Sequence, residues 1–203
     1  LGDHSYLAVV DSTGHGVPGA LLSLMGQNLL NQAVHERHLS RPSAILDYLN
    51  AGIQHTLNQY KKAGELRDGM DIALCVFDRE MRKVQFAGAI NPMYIIRDGM
   101  LIQSNGNRFS IGSYFDNKMR PFTNQETELQ SGDMIYLFTD GYSDQFGGSE
   151  ERKLSLRRFR EILLEIHKLD VEEQKKRLDE YIRNWMNDGI QTDDICVIGV
   201  RVK

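Results

Sequence analysis

Aspartates stand at the ends of the most apolar strand-like segments of this sequence. They are Asp11 after residues 6–10, Asp140 after residues 134–138, and Asp193 with Asp194 before residues 195–200. Carboxylates packed together repel one another and take up protons unless a cation compensates them. Oxygen ligands of this kind favour Mg²⁺ or Mn²⁺. If these strand ends converge at one edge of the fold, the sequence predicts a site for a divalent cation.

The turn after Asp11 contains three glycines in the stretch D-S-T-G-H-G-V-P-G-A. Glycine lacks a Cβ and tolerates positive φ, so the backbone here can approach another strand or a ligand closely. Pro18 suits the first turn of the helix that follows. His15, between two of the glycines, is a candidate for a substrate-facing or supporting group. The alternative for His15 is that it holds the turn through a backbone hydrogen bond.

Other polar residues are open to two interpretations. Asp71 and Asn91 either line the same cleft as Asp11 or have turn and strand-edge roles. Asp144, four residues after Asp140, either assists that aspartate or is exposed to solvent. The histidines and cysteines are scattered without the spacing that zinc sites prefer, which argues against a zinc centre.

Composition indicates one ordinary soluble globular domain over residues 1–203. The chain is 41% hydrophobic and 26% charged, and its length suits a single core. A net charge of −4 gives no basic footprint for nucleic acid or an anionic membrane surface, and no apolar run is long enough to span a membrane. The two cysteines lie inside apolar segments, which predicts buried, reduced thiols and a cytoplasmic location.

The periodicity predicts an α+β fold. After the first strand, apolar residues at helical spacing indicate two helices, which reach residues 38 and 60 and pair with each other. A series of strands follows between residues 72 and 138, with an Asp-Gly hairpin turn at residues 98–99. Two further helices, over residues 156–166 and 171–186, precede a last strand over residues 195–200. Runs of strands and helix pairs, rather than regular alternation, are typical of the α+β class.

Four stretches in order along the chain together resemble one family of enzymes. They are D-S-T-G-H-G-V-P-G-A-L-L-S, F-A-G-A-I-N-P, F-T-D-G-Y-S-D and T-D-D-I-C-V-I. The sequence is similar to the SpoIIE-like branch of the PPM-type (type 2C) protein phosphatases. The resemblance implies a β-sandwich of mostly antiparallel strands flanked by helix pairs. It also implies that an earlier strand with a Gly-Gly-Asp motif is missing, so that this domain is N-terminally truncated.

The resemblance further implies a metal-dependent phosphoserine or phosphothreonine phosphatase with a binuclear Mn²⁺ or Mg²⁺ site. Asp11 would bridge the two metals, the Ser12 carbonyl would bind one of them, and Asp140 with Asp193 would bind the other. These aspartates would act in catalysis through metal-bound water, with His15 as a further catalytic candidate. Ser12 replaces the glycine that is usual in the superfamily, which a backbone carbonyl ligand tolerates. Asp194 stands where the superfamily often has asparagine, so we expect it to hold the strand entry.

The same resemblance implies a place in bacterial signal transduction. The domain would be the output of a protein with a fused upstream sensory domain. Its substrate would be a phosphorylated protein, for which the family suggests the anti-sigma-antagonist type. The apolar stripe of the helices over residues 17–62 is explained by core packing; the resemblance implies that they would also act as a switch, with homodimerisation as one route for the signal. Two alternatives are a catalytically silent module that binds a phosphoprotein partner, and a phosphodiesterase or nuclease, which would need a basic groove that the net charge does not indicate.

Overall fold

A computed structural model describes residues 4–14, 16–60, 69–112 and 120–203, with side chains except at residues 57–60. Its contacts divide the chain into two compact units. Unit 1 comprises Leu1–Met93 and Ser104–Leu129, and unit 2 comprises Tyr94–Gln103 and Gln130–Lys203. The single domain over residues 1–203 stays a prediction.

Ten strands and five α-helices make up the described part of the chain. In chain order they are β1 (His4–Ser12), α1 (Gly16–Asn31), α2 (Pro42–Tyr60), β2 (Met70–Asp78), β3 (Lys83–Ala89), β4 (Met93–Arg97), β5 (Met100–Ser104), β6 (Gln125–Glu128), β7 (Met134–Phe138), α3 (Gly141–Asp144), β8 (Phe146–Gly147), β9 (Arg152–Lys153), α4 (Leu156–Ile166), α5 (Val171–Met186) and β10 (Val197–Arg201). A π-helical turn, Gln32–Glu36, continues α1. With 37% helix and 31% strand, the predicted α+β class is confirmed.

Unit 1 is a four-stranded sheet with two helices. The strand order is β1-β2-β3-β6, and every neighbouring pair is antiparallel. The core joins apolar side chains of both helices to those of the sheet, namely Leu22, Ile45, Leu46, Leu49, Ile53, Met70, Ile72 and Leu74. The helices approach closely where Leu29 of α1 lies against Gly52 of α2, since a Cβ at that glycine would lie 2.7 Å from the leucine side chain. The two predicted helices are therefore packed as neighbours.

Unit 2 is a second four-stranded sheet with α3, α4 and α5. Its strand order is β10-β7-β4-β5, and every residue of β7 is buried. Tyrosine hydroxyls tie α5 to this unit, because Tyr136 donates to Gln174 Oε1 at 2.6 Å and Tyr142 donates to the Leu178 carbonyl at 2.9 Å. The short β8–β9 hairpin is a feature that the sequence did not predict. The last strand begins at Val197, two residues later than predicted.

The cysteines differ in their surroundings. Cys75 is buried in β2, where burial raises the pKa of its thiol. Cys196 is half-buried and lies just before β10, so the prediction that it lies inside a strand was wrong. Both are free cysteines. Among the described residues, no helix is both long and apolar enough to cross a membrane.

Candidate functional site

Asp11 and Ser12 lie at the end of β1 in unit 1. The register of β1 against β2 is unbroken, so Asp11 faces Asp71 and Ser12 faces Met70. Directly opposed residues of antiparallel strands have Cα atoms about 4.5–5.5 Å apart. The backbone therefore places two carboxylates side by side. Like charges directly opposite each other destabilise the pairing of two strands unless the negative charge is compensated. Asp71 is thus the cross-strand neighbour of Asp11, as the interpretation that both line the same cleft requires.

The turn after β1 is held by a threonine and by glycines. The Thr13 hydroxyl donates to the Gly69 carbonyl at 2.9 Å and accepts from the Gly69 N–H at 2.7 Å. Gly14 has a φ of +91°, a conformation that glycine adopts without strain. A Cβ at Gly19 would lie 2.7 Å from the Gly14 carbonyl oxygen, so α1 passes too close to the turn for a side chain there. The predicted close backbone approach is present within the protein itself.

The Ser12 side chain faces α1. Its Oγ accepts a hydrogen bond from Ser23 Oγ at 3.0 Å, and Ser23 also bonds the Gly19 carbonyl at 3.0 Å. The hydroxyl that distinguishes Ser12 from glycine is thus engaged with the helix. His15 lies outside the described residues, and its role stays a prediction.

Asp140 lies in unit 2, directly after the buried strand β7. Thr139 fixes this point, because its hydroxyl donates to the Asp194 carbonyl at 2.9 Å and accepts from the Cys196 N–H at 3.0 Å. Gly141 allows the approach, since a Cβ there would lie 2.3 Å from the Asp194 carbonyl oxygen. The segment that carries Asp193 and Asp194 is therefore held against the end of β7.

The carboxylates at the end of β7 influence one another. Asp140 is exposed at the surface, yet partial burial of its carboxyl raises its pKa above the ordinary value. The negative charges of Asp144 and Asp193 raise this pKa further, and the Lys153 ammonium opposes them. Asp144 Oδ2 accepts a hydrogen bond from Lys153 Nζ at 2.6 Å. Asp144 therefore forms an ion pair with Lys153, and both side chains are half-exposed.

A buried glutamine supports the loop that carries Asp193. Gln145 is fully buried; its amide nitrogen donates to the Ile190 carbonyl at 2.9 Å, and its amide oxygen accepts from the Thr192 N–H at 3.1 Å. The Asp193 carbonyl accepts a hydrogen bond from Gln191 Nε2 at 2.8 Å, and Asp193 Oδ1 accepts from the Asp194 N–H at 2.7 Å. Asp194 thus contributes backbone bonds to the strand entry, in keeping with its expected role.

The predicted residues are distributed over both units. Asp140 and Asp193 come together in unit 2, while Asp11 and Ser12 lie in unit 1 with Asp71. Across the described ranges, no group of three or more His, Cys, Asp or Glu side chains is placed to hold a metal ion. Asn91 is a buried residue of the turn between β3 and β4, where its N–H donates to the Ala89 carbonyl at 2.7 Å. That placement matches its turn role.

Comparisons with known proteins identify the family. The sequence profile of the Stage II sporulation protein E (SpoIIE) family matches residues 2–203. The chain belongs to the SpoIIE family. No sequence among the curated proteins matches it.

Solved structures similar to this SpoIIE-family chain are PP2C phosphatase domains. The SiaA-PP2C domain of Pseudomonas aeruginosa is 30% identical with a TM-score of 0.86, over 99% of this chain and 77% of that one. The PP2C domain and regulatory fragment of SpoIIE from Bacillus subtilis is 16% identical with a TM-score of 0.73, over 98% and 55%. PstP, the Mycobacterium tuberculosis serine/threonine phosphatase, is 21% identical with a TM-score of 0.62, over 98% and 88%, and its catalytic domain has been solved with two manganese ions. The predicted family and its phosphatase fold are confirmed.

Two supporting residues of this SpoIIE-family domain were missed by sequence reasoning. Gln145 and Lys153 act through contacts to residues that are 45 and 9 positions away, respectively. Gln145 follows the F-T-D-G-Y-S-D stretch directly, and that adjacency was the only available sign of its role. Lys153 lies in a charged run that is indistinguishable from an ordinary solvated surface.

Proposed function

We propose that this domain is a metal-dependent phosphoserine or phosphothreonine protein phosphatase. The observation that carries the proposal is the end of β7, where partial burial raises the pKa of the Asp140 carboxyl and the negative charges of Asp144 and Asp193 raise it further. Such a concentration of negative charge favours a bound cation. Membership of the SpoIIE family and the PP2C fold supports hydrolysis of phosphoproteins as the reaction.

The donor atoms fit Mn²⁺ or Mg²⁺. Asp140 and Asp193 offer carboxylate oxygens, and hard divalent cations prefer oxygen. The two manganese ions of PstP support a binuclear site. Two such ions, when bound, activate a water molecule and stabilise charge on the transferred phosphoryl group.

The ligand set that we propose follows the family resemblance. Asp11 would supply a carboxylate to both metals, and Ser12 would supply its backbone carbonyl to one of them. Asp140 and Asp193 would supply carboxylates to the other. The Ser12 carbonyl can serve as a ligand while the hydroxyl stays bonded to Ser23. His15 is proposed only as a substrate-facing group beside Asp11.

The protein's own groups position these ligands. Thr139 and Gln145 hold the segment of Asp193 at the end of β7, which supports a shared site for the Asp140 and Asp193 carboxylates. The paired strands β1 and β2 hold Asp11 in register. Pre-arranged ligands spare the reaction the cost of organising them during turnover.

The signalling role that we propose is the output of a bacterial regulatory protein. One similar structure contains the RsbU and RsbW domains of Rv1364c from Mycobacterium tuberculosis, 18% identical with a TM-score of 0.70, and the SpoIIE structure includes a fragment of a regulatory domain. The regulatory-domain fragment supports fusion to a regulatory domain. The upstream sensory domain and the phosphoprotein substrate of the anti-sigma-antagonist type are proposed from the family resemblance. A cytoplasmic location and homodimerisation belong to the same proposal.

The test is hydrolysis of a phosphoserine peptide and of p-nitrophenyl phosphate by the 203-residue protein. We expect turnover with Mn²⁺ or Mg²⁺. EDTA should abolish this turnover, and an excess of Mn²⁺ should restore it. Turnover that is indifferent to EDTA would contradict the metal dependence. A folded protein that hydrolyses neither substrate with any metal would favour the catalytically silent, phosphoprotein-binding alternative.

A further inference from the structure

Lys153 is a cation of unit 2 that is hydrogen-bonded to Asp144 and acts electrostatically on Asp140. It lies on β9, which pairs with β8 so that Lys153 faces Phe146. The backbone just beyond it is fixed to the region of α3, because Leu154 N–H donates to the Gln145 carbonyl at 3.0 Å and Ser155 N–H donates to the Ser143 carbonyl at 2.7 Å. The hairpin therefore holds Lys153 at a defined place beside α3.

The Lys153 ammonium is anchored to Asp144. Their side chains are 51% and 40% exposed, and Nζ lies 2.6 Å from Oδ2. The Asp144 N–H donates to the Asp140 carbonyl at 2.9 Å, which places Asp144 one turn beyond the proposed ligand. This short chain of bonds connects a fixed positive charge to the end of β7.

The charge of Lys153 also lowers the pKa of Asp140, against the raising effects of burial, Asp144 and Asp193. The hydrogen bond to Asp144 raises the pKa of Lys153 most, and the negative charges of Asp140 and Asp193 contribute as well. The neighbouring Arg152 provides a contrast on the same hairpin, because its guanidinium lies 3.0 Å from Glu150 and its side chain is 71% exposed. Lys153 is thus paired with Asp144, a member of the acidic group that Asp140, Asp144 and Asp193 form at the end of β7. Arg152, the preceding residue, pairs with Glu150 instead.

We propose that Lys153 is a built-in counter-ion of the acidic group at the end of β7, and that it competes electrostatically with a divalent metal there. This inference rests on the proposed function, since it takes Asp140 and Asp193 as metal ligands. In the metal-free protein, the ammonium offsets repulsion among Asp140, Asp144 and Asp193. When a divalent cation binds, the same ammonium lies close to another positive charge and weakens its binding.

The sign of the effect makes the proposal testable. Replacing Lys153 with methionine keeps an unbranched side chain and removes its charge. We expect Lys153→Met to bind Mn²⁺ roughly threefold to tenfold more tightly, as suits a half-exposed charge acting on a doubly charged ion. The Lys153→Arg variant keeps the positive charge and is expected to stay near wild type. Arg152→Met removes a charge from the same strand and serves as the matched control.

The experiment is a calorimetric Mn²⁺ titration of these proteins, together with their thermal unfolding in EDTA and in saturating Mn²⁺. Lys153→Met is expected to unfold at a lower temperature than wild type in EDTA and to gain more stability from Mn²⁺. A merely structural role for Lys153 would lower both unfolding temperatures and would not tighten Mn²⁺ binding. Unchanged or weaker Mn²⁺ binding by a folded Lys153→Met protein would overturn the proposal.

A failure of the proposed function gives a different result. If wild-type protein binds no Mn²⁺, the metal site itself is refuted and the counter-ion proposal falls with it. If wild-type protein binds Mn²⁺ and Asp140→Asn does not, the site stands. In that case the Mn²⁺ affinity of Lys153→Met decides whether Lys153 acts as a counter-ion.

Discussion

In each unit a threonine hydroxyl forms hydrogen bonds at the end of a strand that precedes or carries a proposed aspartate ligand. The two threonines bond different kinds of segment. Thr13 bonds both the carbonyl and the N–H of Gly69, at the start of β2. Thr139 bonds the carbonyl of Asp194 and the N–H of Cys196, which both precede β10. In unit 1 the threonine secures two strands that are already paired through Asp11. In unit 2 it secures an irregular segment that carries Asp193.

The difference shows two ways to position a carboxylate. Asp11 is positioned by strand register, which nine consecutive residue pairs of β1 and β2 define. Asp193 is positioned by side chains, chiefly Thr139 and Gln145, which bond its neighbours. We therefore expect the acidic group of unit 2 to respond to single side-chain changes that the end of β1 tolerates.

The largest expected effect is the loss of hydrolysis when a proposed ligand is removed from either unit. Metal ions contribute several kcal/mol of transition-state stabilisation, and each ~1.4 kcal/mol changes a rate tenfold. Asp140→Asn and Asp11→Asn are each expected to lower kcat for a phosphoserine peptide by about 100-fold or more, with the circular dichroism spectrum unchanged. Near-wild-type turnover in a folded Asp11→Asn protein would contradict the proposal that Asp11 is a metal ligand.

A matched pair of threonine variants tests the comparison itself. Valine keeps the shape of threonine and removes the hydroxyl, and each hydrogen bond contributes about 1 kcal/mol. Thr139→Val is expected to lower kcat/KM roughly tenfold because it releases the segment of Asp193. Thr13→Val is expected to lower the free energy of unfolding by about 1 kcal/mol with less than about a threefold change in kcat/KM. Equal losses of kcat/KM in the two variants would contradict the distinction between register and side-chain positioning.

The support from Gln145 predicts a smaller effect on activity than that from Thr139. Gln145→Leu leaves the Ile190 carbonyl and the Thr192 N–H without their partner, while the bonds of Thr139 remain. We expect kcat/KM to fall roughly threefold and the free energy of unfolding to fall by about 1–3 kcal/mol. Urea denaturation beside peptide hydrolysis measures both. A stability loss without any change in Mn²⁺ affinity or activity would limit Gln145 to a role in the core.

The smallest expected effect concerns the metal-free protein and pH. Because the pKa of Asp140 is raised, its carboxyl binds more protons in the folded state than in the unfolded state over the interval between the two pKa values. Its contribution to the free energy of unfolding therefore declines as pH rises through that interval. In EDTA at pH 7, Asp140→Asn is expected to be more stable than wild type by less than about 1 kcal/mol. The difference should vanish towards pH 4, near the ordinary pKa of about 3.9. Lower stability of Asp140→Asn in EDTA at pH 7 would show that the carboxylates are not in repulsion.

The sequence predicts what local patterns determine. The apolar segments before Asp11 and Asp140 became β1 and β7. In the turn after Asp11, Gly14 and Gly16 have positive φ, and Gly19 has the close backbone contact. The pairing of Asp11 with Asp71 follows from strand register, which the sequence suggested only as an open alternative.

Contacts between distant residues could not be predicted in the same way. Gln145 reads as a polar residue after a short motif, and its burial depends on the loop at residues 190–192. Lys153 reads as one charge among several, and its orientation depends on the β8–β9 hairpin, which has only two residues in each strand. Elements this short carry no periodicity, so sequence patterns do not reveal them.

The most direct test of the central claim is a calorimetric Mn²⁺ titration of Asp193→Asn beside Asp188→Asn. Both variants remove one negative charge from the same exposed stretch, but only Asp193 is a proposed ligand that acts on Asp140. We predict that Asp193→Asn binds Mn²⁺ at least about tenfold more weakly than wild type, while Asp188→Asn binds it with wild-type affinity. Equal Mn²⁺ affinity of the two variants would contradict the assignment of the metal site.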